Sequence, residues 1–345
     1  MPTSAAQTAT PPTLEYVTPA AALPGGEVQV HGLGLGASAG RVPQLTVDGQ
    51  LAHISLCRPD RIGFLVPDTA ETGMIQVTSE DTASNLIPLR VARQLSDGLH
   101  PVTSPVVSRS GMTFATISGP RGKMTPVSIV RISPDGLGTP FVSGILNPTG
   151  LAFDPEGQLY VTSRADGTVY RIDAGGDAEV YAEGLGAATG AAFDADGNLF
   201  VGDRNGTIFK IAPDRKIFVY ATLEQSVAAY HLALGTDGTL FVTAPNLSSW
   251  GAIWAIDRDG AIRPWFQGLG RPQGLALDAD SNIYVTAAYR GRRGLVRVTP
   301  DGQAEVVASG NNLVGVAFSP LGTTVLATNQ AVYDIDLGVE GLRLF

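Results

Sequence analysis

The chain has 345 residues, 44% of them apolar, with 42 glycines, 23 prolines and a formal net charge of −9. That length accommodates about two domains of ordinary size, the glycine and proline content points to turn-rich β structure, and no apolar run approaches the roughly 20 residues of a membrane helix. The acidic balance argues against a general nucleic-acid binder, which needs a basic surface, and a single cysteine, Cys57, excludes an intramolecular disulfide and a cysteine-rich zinc site.

The opening stretch MPTSAAQTATPPT lacks the basic segment and apolar core of a secretory signal. Residues 1–11 are therefore expected to form a flexible tail, and a cytoplasmic location is the default expectation. Over residues 12–93 short alternating runs (EVQV, QLTV, RIGFLV, MIQV, NLIPL) are separated by turn signals such as PGG, HGLGLG and VDGQ. This spacing predicts a small antiparallel sandwich, with Cys57 as a buried apolar residue rather than a nucleophile. Gly36, Ser38 and Gly40 imitate a nucleophile elbow, and Gly32, Gly34 and Ala37 imitate a dinucleotide fingerprint. Each needs a helix immediately afterwards, where Pro43 and the strand-like QLTV follow instead.

The same segment resembles a TIG (IPT) immunoglobulin-like domain, through VTPAAALPGGEVQVHGLGLG, LTVDGQLAHI, RIGFLVPDTAETGMIQV and the pair Ser84 and Asn85. The resemblance implies an Ig-like sandwich that binds partners or spaces other domains, and no chemistry.

Residues 94–102 are expected to bridge to a repetitive region, 103–345. There a phrase recurs: PTGLAFDPEGQLYVTS, ATGAAFDADGNLFVGD, AYHLALGTDGTLFVTA and PQGLALDADSNIYVTA. Aligned on its turn position, the phrase falls at Gly111, Gly157, Gly197, Gly238, Ser281 and Gly322, giving steps of 46, 40, 41, 43 and 41 residues. A period of about 40–45 residues with several short strands per unit signals a β-propeller, here of six four-stranded blades. Phe114, Tyr160, Phe200, Phe241, Tyr284 and Val325 share one place in the second strand and are expected to pack between neighbouring sheets. GLRLF at the end of the chain is expected to serve as the outer strand of the last unit, with no strand borrowed from upstream.

The repeats resemble NHL and regucalcin/gluconolactonase-type propellers over about 240 residues, through the phrase G-x-x-x-D-x-x-G-x-[LI]-[YF]-V. In gluconolactonase-like enzymes the resemblance implies acidic and amide ligands just before the inner-strand glycines, holding a divalent metal that activates water. Here that position reads Thr103, Thr149, Thr189, Tyr230, Gln273 and Val314, with no carboxylate for a hard cation. Asp203 is the surviving acid near the same end, with Asn147, Asn246, Asn311 and Asn312 in loops that could reach inward or simply set turns. Asp194, Asp196 and Asn198, and likewise Asp278, Asp280 and Asn282, fall on hairpins and read as turn formers rather than calcium ligands.

One unit breaks its own phrase: Tyr230 and His231 replace threonine and glycine. His231 reads either as a base or ligand beside a stacking Tyr230, or as part of a plug in the channel. Ligands are expected on the face carrying the longer loops. There Arg121, Lys123, Arg164, Arg204, Arg271, Arg290, Arg292 and Arg293 outnumber Glu183, Glu224, Asp166 and Asp203 by four.

The leading expectation is a binding protein without a cofactor. It recognises a small anionic molecule (a sugar acid or carboxylate) or a protein partner through Thr149, Thr189, Tyr230, His231, Gln273, Asp203, Asn246, Arg164 and Arg204, with no nucleic acid and no membrane span. The alternative is a lactone or ester hydrolase using calcium or another divalent cation in a site rebuilt around Asp203. A third reading makes both domains contact surfaces only.

Overall fold

The computed structural model describes residues 11–345 apart from 39, 81, 121 and 247–249. The tail expected over residues 1–11, except Pro11, and Arg121 lie outside the described residues. The architecture is all-β, with no helix among the described residues. Two compact units are present. One runs to Arg93 and includes Val307–Asn311; the other comprises Gln94–Val306 with Asn312–Phe345.

In the first unit an antiparallel sheet orders Thr13–Thr18, Glu27–Leu33, Arg61–Leu65 and His53–Arg58. A second places Ile87–Val91, Gly73–Ser79, Gln44–Val47 and Gln50–Leu51 side by side. Alternate residues of both, among them Val28, Val30, Leu45, Val47, Ile62, Phe64, Ile75 and Val77, are fully buried in one core. This is the period of two expected when one face of each sheet is covered. Asn85 holds the first strand in place, accepting from the Leu14 N–H at 2.8 Å and donating to the Leu14 carbonyl at 3.0 Å. No helix follows Ser38, whose hydroxyl donates to Glu80 at 2.8 Å. Cys57 is half-buried rather than buried, because its thiol turns to the Leu35 carbonyl (3.4 Å) instead of into the core.

The second unit repeats one antiparallel meander. Successive sheets contain Pro148–Phe153, Leu159–Ser163, Thr168–Ile172 and Ala178–Ala182, then Ala188–Phe193, Leu199–Asp203, Thr207–Ile211 and Ile217–Thr222. His231–Leu234, Leu240–Thr243, Gly251–Ile256 and Ile262–Leu269 follow the same path, as do Leu275–Leu277, Ile283–Tyr289 and Arg292–Val298. Before them come Val106–Val107, Thr113–Thr116, Ile129–Ile132 and Gly138–Val142. Each innermost strand touches those of the sheets before and after it, and Val106–Val107 touches both Pro148–Phe153 and Leu313–Phe318, so the succession returns on itself. This is a β-propeller.

Second-strand aromatics seal the sheets as expected. The Tyr160 ring lies 4.8 Å from Phe193 on the next inner strand, Phe114 lies 5.7 Å from Phe153 and Tyr284 lies 5.2 Å from Phe318. Asp194 and Asp278 act as turn formers: each accepts at Oδ1 from backbone N–H groups two and four residues on. Ser281, at the place otherwise held by glycine, takes the same left-handed backbone (φ 64°) as Gly157 (φ 84°).

The last sheet corrects one expectation. Leu313–Phe318, Thr324–Thr328 and Val332–Ile335 are completed by Arg93–Ser96, not by the terminal GLRLF. Residues 94–96 of the expected bridge are therefore a strand. Closing the sheet with a segment from far upstream ties the two ends of the propeller together. The terminal residues instead run back to the hairpin face, where Leu342 donates to the Leu277 carbonyl at 2.9 Å.

Candidate functional site: the central channel

The residues expected at the mouth lie at the N-terminal ends of the inner strands, and there the backbone closes on itself. A Cβ on Gly150 would stand 2.0 Å from the Thr189 carbonyl oxygen, one on Gly190 2.4 Å from that of Tyr230, and one on Gly315 2.3 Å from Ser104 Cα. Only glycine permits strands to converge so far. Thr103 Oγ1 spans another step of the circle to the Thr149 carbonyl (2.6 Å), and Thr243 Oγ1 donates to that of Gln273.

The polar side chains at this end bond to the backbone; Asn147, Thr149, Thr189 and Asp203 are buried and Gln273 is half-buried. Thr149 Oγ1 donates to the Asn147 carbonyl (3.1 Å). Thr189 donates to Gly202 (2.8 Å) and accepts from the Tyr230 N–H (3.0 Å), and Gln273 Nε2 reaches the Leu313 carbonyl at 3.3 Å. Asp203 is 6% exposed, and its Oδ1 accepts from the N–H groups of Ala187 (2.8 Å) and Asn205 (3.2 Å). Asn147 bonds the Gly119 carbonyl and the Gly122 N–H, both at 2.9 Å. Asn311 belongs to the first unit, where its amide donates to the Gly25 carbonyl, and Asn312 is exposed with φ 58°.

Among the described residues no three histidine, cysteine, aspartate or glutamate side chains gather as a metal site. A calcium-type ion needs six to eight oxygens, several of them charged. The hydroxyls and amide at this end are neutral, and the one carboxylate among them, Asp203, accepts from backbone N–H groups, so these residues do not supply the charged oxygens such an ion needs.

Arg164 and Arg204 do not join an anion site in the channel. Arg204 spends its guanidinium on the carbonyls of Ser226 (3.2 Å) and Val227 (2.9 Å). Arg164 occupies the equivalent place one sheet earlier, its N–H donating to Asn147 (3.3 Å), and neither arginine lines the channel. Asn246 lies apart, on a cavity of about 330 Å³ with Glu224, Tyr230 and Trp254.

Tyr230 is fully buried, its hydroxyl donating to the Glu224 carbonyl; burial, with Asp203 and Glu224 nearby, pushes its pKa up to about 12. It therefore serves as a neutral packing residue, not a base. His231 is 3% exposed and its Nε2 has no hydrogen-bond partner among the described residues. Burial alone lowers its pKa to about 3, so the imidazole is neutral at physiological pH.

Open space lies beyond this constriction. A cavity of about 1180 Å³ runs along the inner strands from His231 to the hairpins, where Asp154, Glu156 and Pro320 border it together with the terminal segment Gly338–Phe345. The cavity thus lies on the hairpin side of the inner strands, whereas the expected ligand face is the long-loop one, where Thr149, Thr189 and Tyr230 are buried. Sequence reasoning missed this cavity although a signal was present: Ala152, Ala192, Ala233, Ala276 and Ala317 put a small residue in the middle of successive inner strands.

No family model and no curated protein matches this chain. Solved structures do. A protein put forward as a gluconolactonase is 21% identical, with a TM-score of 0.60 over 73% of this chain and 93% of its own. A gluconolactonase from Xanthomonas campestris is 17% identical, with 0.58 over 71% and 89%. An auxiliary nutrient-binding protein from Bacteroides thetaiotaomicron is 12% identical, with 0.55 over 95% and 98%. At such identities the likeness carries the propeller fold and not an activity.

Proposed function

We propose that this chain is a binding protein, a TIG-like sandwich domain joined to a six-bladed propeller that holds a small molecule in its central channel. The observation that carries this reading is that neutral side chains (Thr103, Thr149, Thr189, Gln273) and a single carboxylate, Asp203, already accepting from backbone N–H groups, stand at the end where gluconolactonase-like enzymes would place metal ligands. A hydrolase of that type needs oxygens free to hold a cation and a water poised beside it. The likeness to an auxiliary nutrient-binding protein over nearly the whole chain supports the same reading. The anionic preference expected from the arginine rim loses its main support, since Arg204 is already engaged.

Metal analysis of the purified protein, paired with an assay on aldonolactones, tests the reading. The expected result is no divalent ion retained in stoichiometric amount and no hydrolysis above the buffer rate. One tightly held ion per chain, whose removal by chelator abolishes lactone hydrolysis, would overturn it.

A further inference from the structure

The geometry points to a ligand of definite chemistry: we infer that the channel binds an uncharged, largely apolar molecule carrying a hydroxyl group, which enters from the hairpin face and stops against His231. This rests on the binding reading above and adds the place and the class of ligand.

The channel has room for a small molecule: pockets for such ligands span roughly 300–1,000 Å³, and the channel, at about 1180 Å³, lies somewhat above that range. The wall is made by inner strands. Ala192, Ala233, Ala276 and Ala317 are half-buried residues of innermost strands and border the channel. Larger side chains there would fill it.

Polar groups are distributed unevenly along the channel. Its charged residues, Arg109, Asp154, Glu156, Glu340 and Arg343, all belong to hairpins or the terminal segment, at the open end. At the closed end stands His231, with Nε2 unpartnered. Leaving such a group unpaired in an apolar interior is costly, and a ligand that pairs it recovers that cost on binding. A hydroxyl both donates and accepts, so it satisfies either tautomer of a neutral imidazole. A carboxylate would enter a blind end without a cation to meet it. Nε2 is covered as the ring stands. We therefore include in the inference a half-turn of the imidazole, which would exchange nitrogen and carbon positions in the same ring plane and turn Nε2 to the ligand.

The terminal segment borders the opening. The Ala279 N–H donates to the Glu340 carbonyl and the Leu342 N–H to that of Leu277, both at 2.9 Å. Leu342 packs with Leu275 and Leu277, and Leu344 with Leu234 and Leu240. It narrows the way in without sealing it.

Calorimetric titration with 2-naphthol, and separately with 2-naphthoate, tests the inference on the wild-type chain and on Ala192→Phe, Ala276→Phe and His231→Gly. The expected result is saturable binding of one 2-naphthol per chain, at least about tenfold tighter than 2-naphthoate. Each filling variant that keeps the wild-type melting temperature should lose about tenfold or more, and His231→Gly should lose most of the preference for the alcohol. Two filling positions on different strands keep the test decisive if one variant fails to fold. Absence of saturable 2-naphthol binding, equal or tighter binding of 2-naphthoate, or indifference to a folded filling variant would overturn the inference. None of these readouts involves hydrolysis or metal, so such a failure leaves the binding reading standing, whereas chelator-sensitive lactone hydrolysis would remove that reading.

Discussion

Lowering the pH from 7 to 4 is expected to cost the wild-type chain about 3 kcal/mol of stability that a His231→Gln variant keeps. The imidazole titrates near its ordinary 6.5 in the unfolded chain, and burial lowers it to about 3 in the folded one. Between those values the unfolded state binds the proton and the folded state does not, so acid favours unfolding. The stability is fully present above pH 6.5, falls by about 1.4 kcal/mol per pH unit below it, and levels off near pH 3. Desolvation is the sole cause of the shift, and no neighbouring carboxylate offsets it. Urea unfolding at a series of pH values is convenient, because Trp254 and Trp265 belong to the same sheet as His231. Carboxylates elsewhere titrate equally in both proteins and cancel in the difference. Parallel loss of stability in wild type and variant would show that the imidazole is not held neutral.

The second large effect concerns the closed end. Gly150→Ala is expected to destabilise the propeller by at least about 3 kcal/mol, because the added methyl would stand 2.0 Å from the Thr189 carbonyl and neither strand can retreat without opening the circle. Gly138→Ala is the comparison: its φ is not positive, and its nearest neighbour is the Ser96 hydroxyl at 3.3 Å. Thermal unfolding should show Gly150→Ala melting about 6–12 °C lower and Gly138→Ala close to wild type. Equal melting temperatures would mean that the inner strands are further apart than the structure has them.

These two positions also show what the sequence makes legible. The recurring phrase announces the propeller because each part has a local physical cause: a turn residue that tolerates positive φ, an alternating strand, and an aromatic that fills the space between sheets. Ser281 obeys the rule with a serine, and Tyr160 meets Phe193 as the pattern requires. His231 was likewise legible as a break in the phrase, and the structure buries it.

Direction was not legible. Threonine before glycine reads as a hydroxyl-lined entrance until the convergence of Gly150 on Thr189 shows that the glycine is there to let backbones meet. Arg204 reads as free charge until its carbonyl partners are seen. GLRLF and RQLS are equally short alternating segments, and the choice of outer strand depends on ring closure, a contact between Arg93–Ser96 and Val332–Ile335 that no local pattern encodes. Asp203 and Asn147 read equally as ligand or turn former, and their bonds to nearby backbone are visible only in the structure.

The account depends on a channel that is shut at the glycine end and open at the hairpins. In a Cys57→Ser background, which removes the native thiol, the rate of maleimide labelling at Ala276→Cys and at Thr189→Cys measures that directly. Labelling of Ala276→Cys at least about a hundredfold faster than Thr189→Cys is the predicted result; equal rates, or faster labelling of Thr189→Cys, would contradict it.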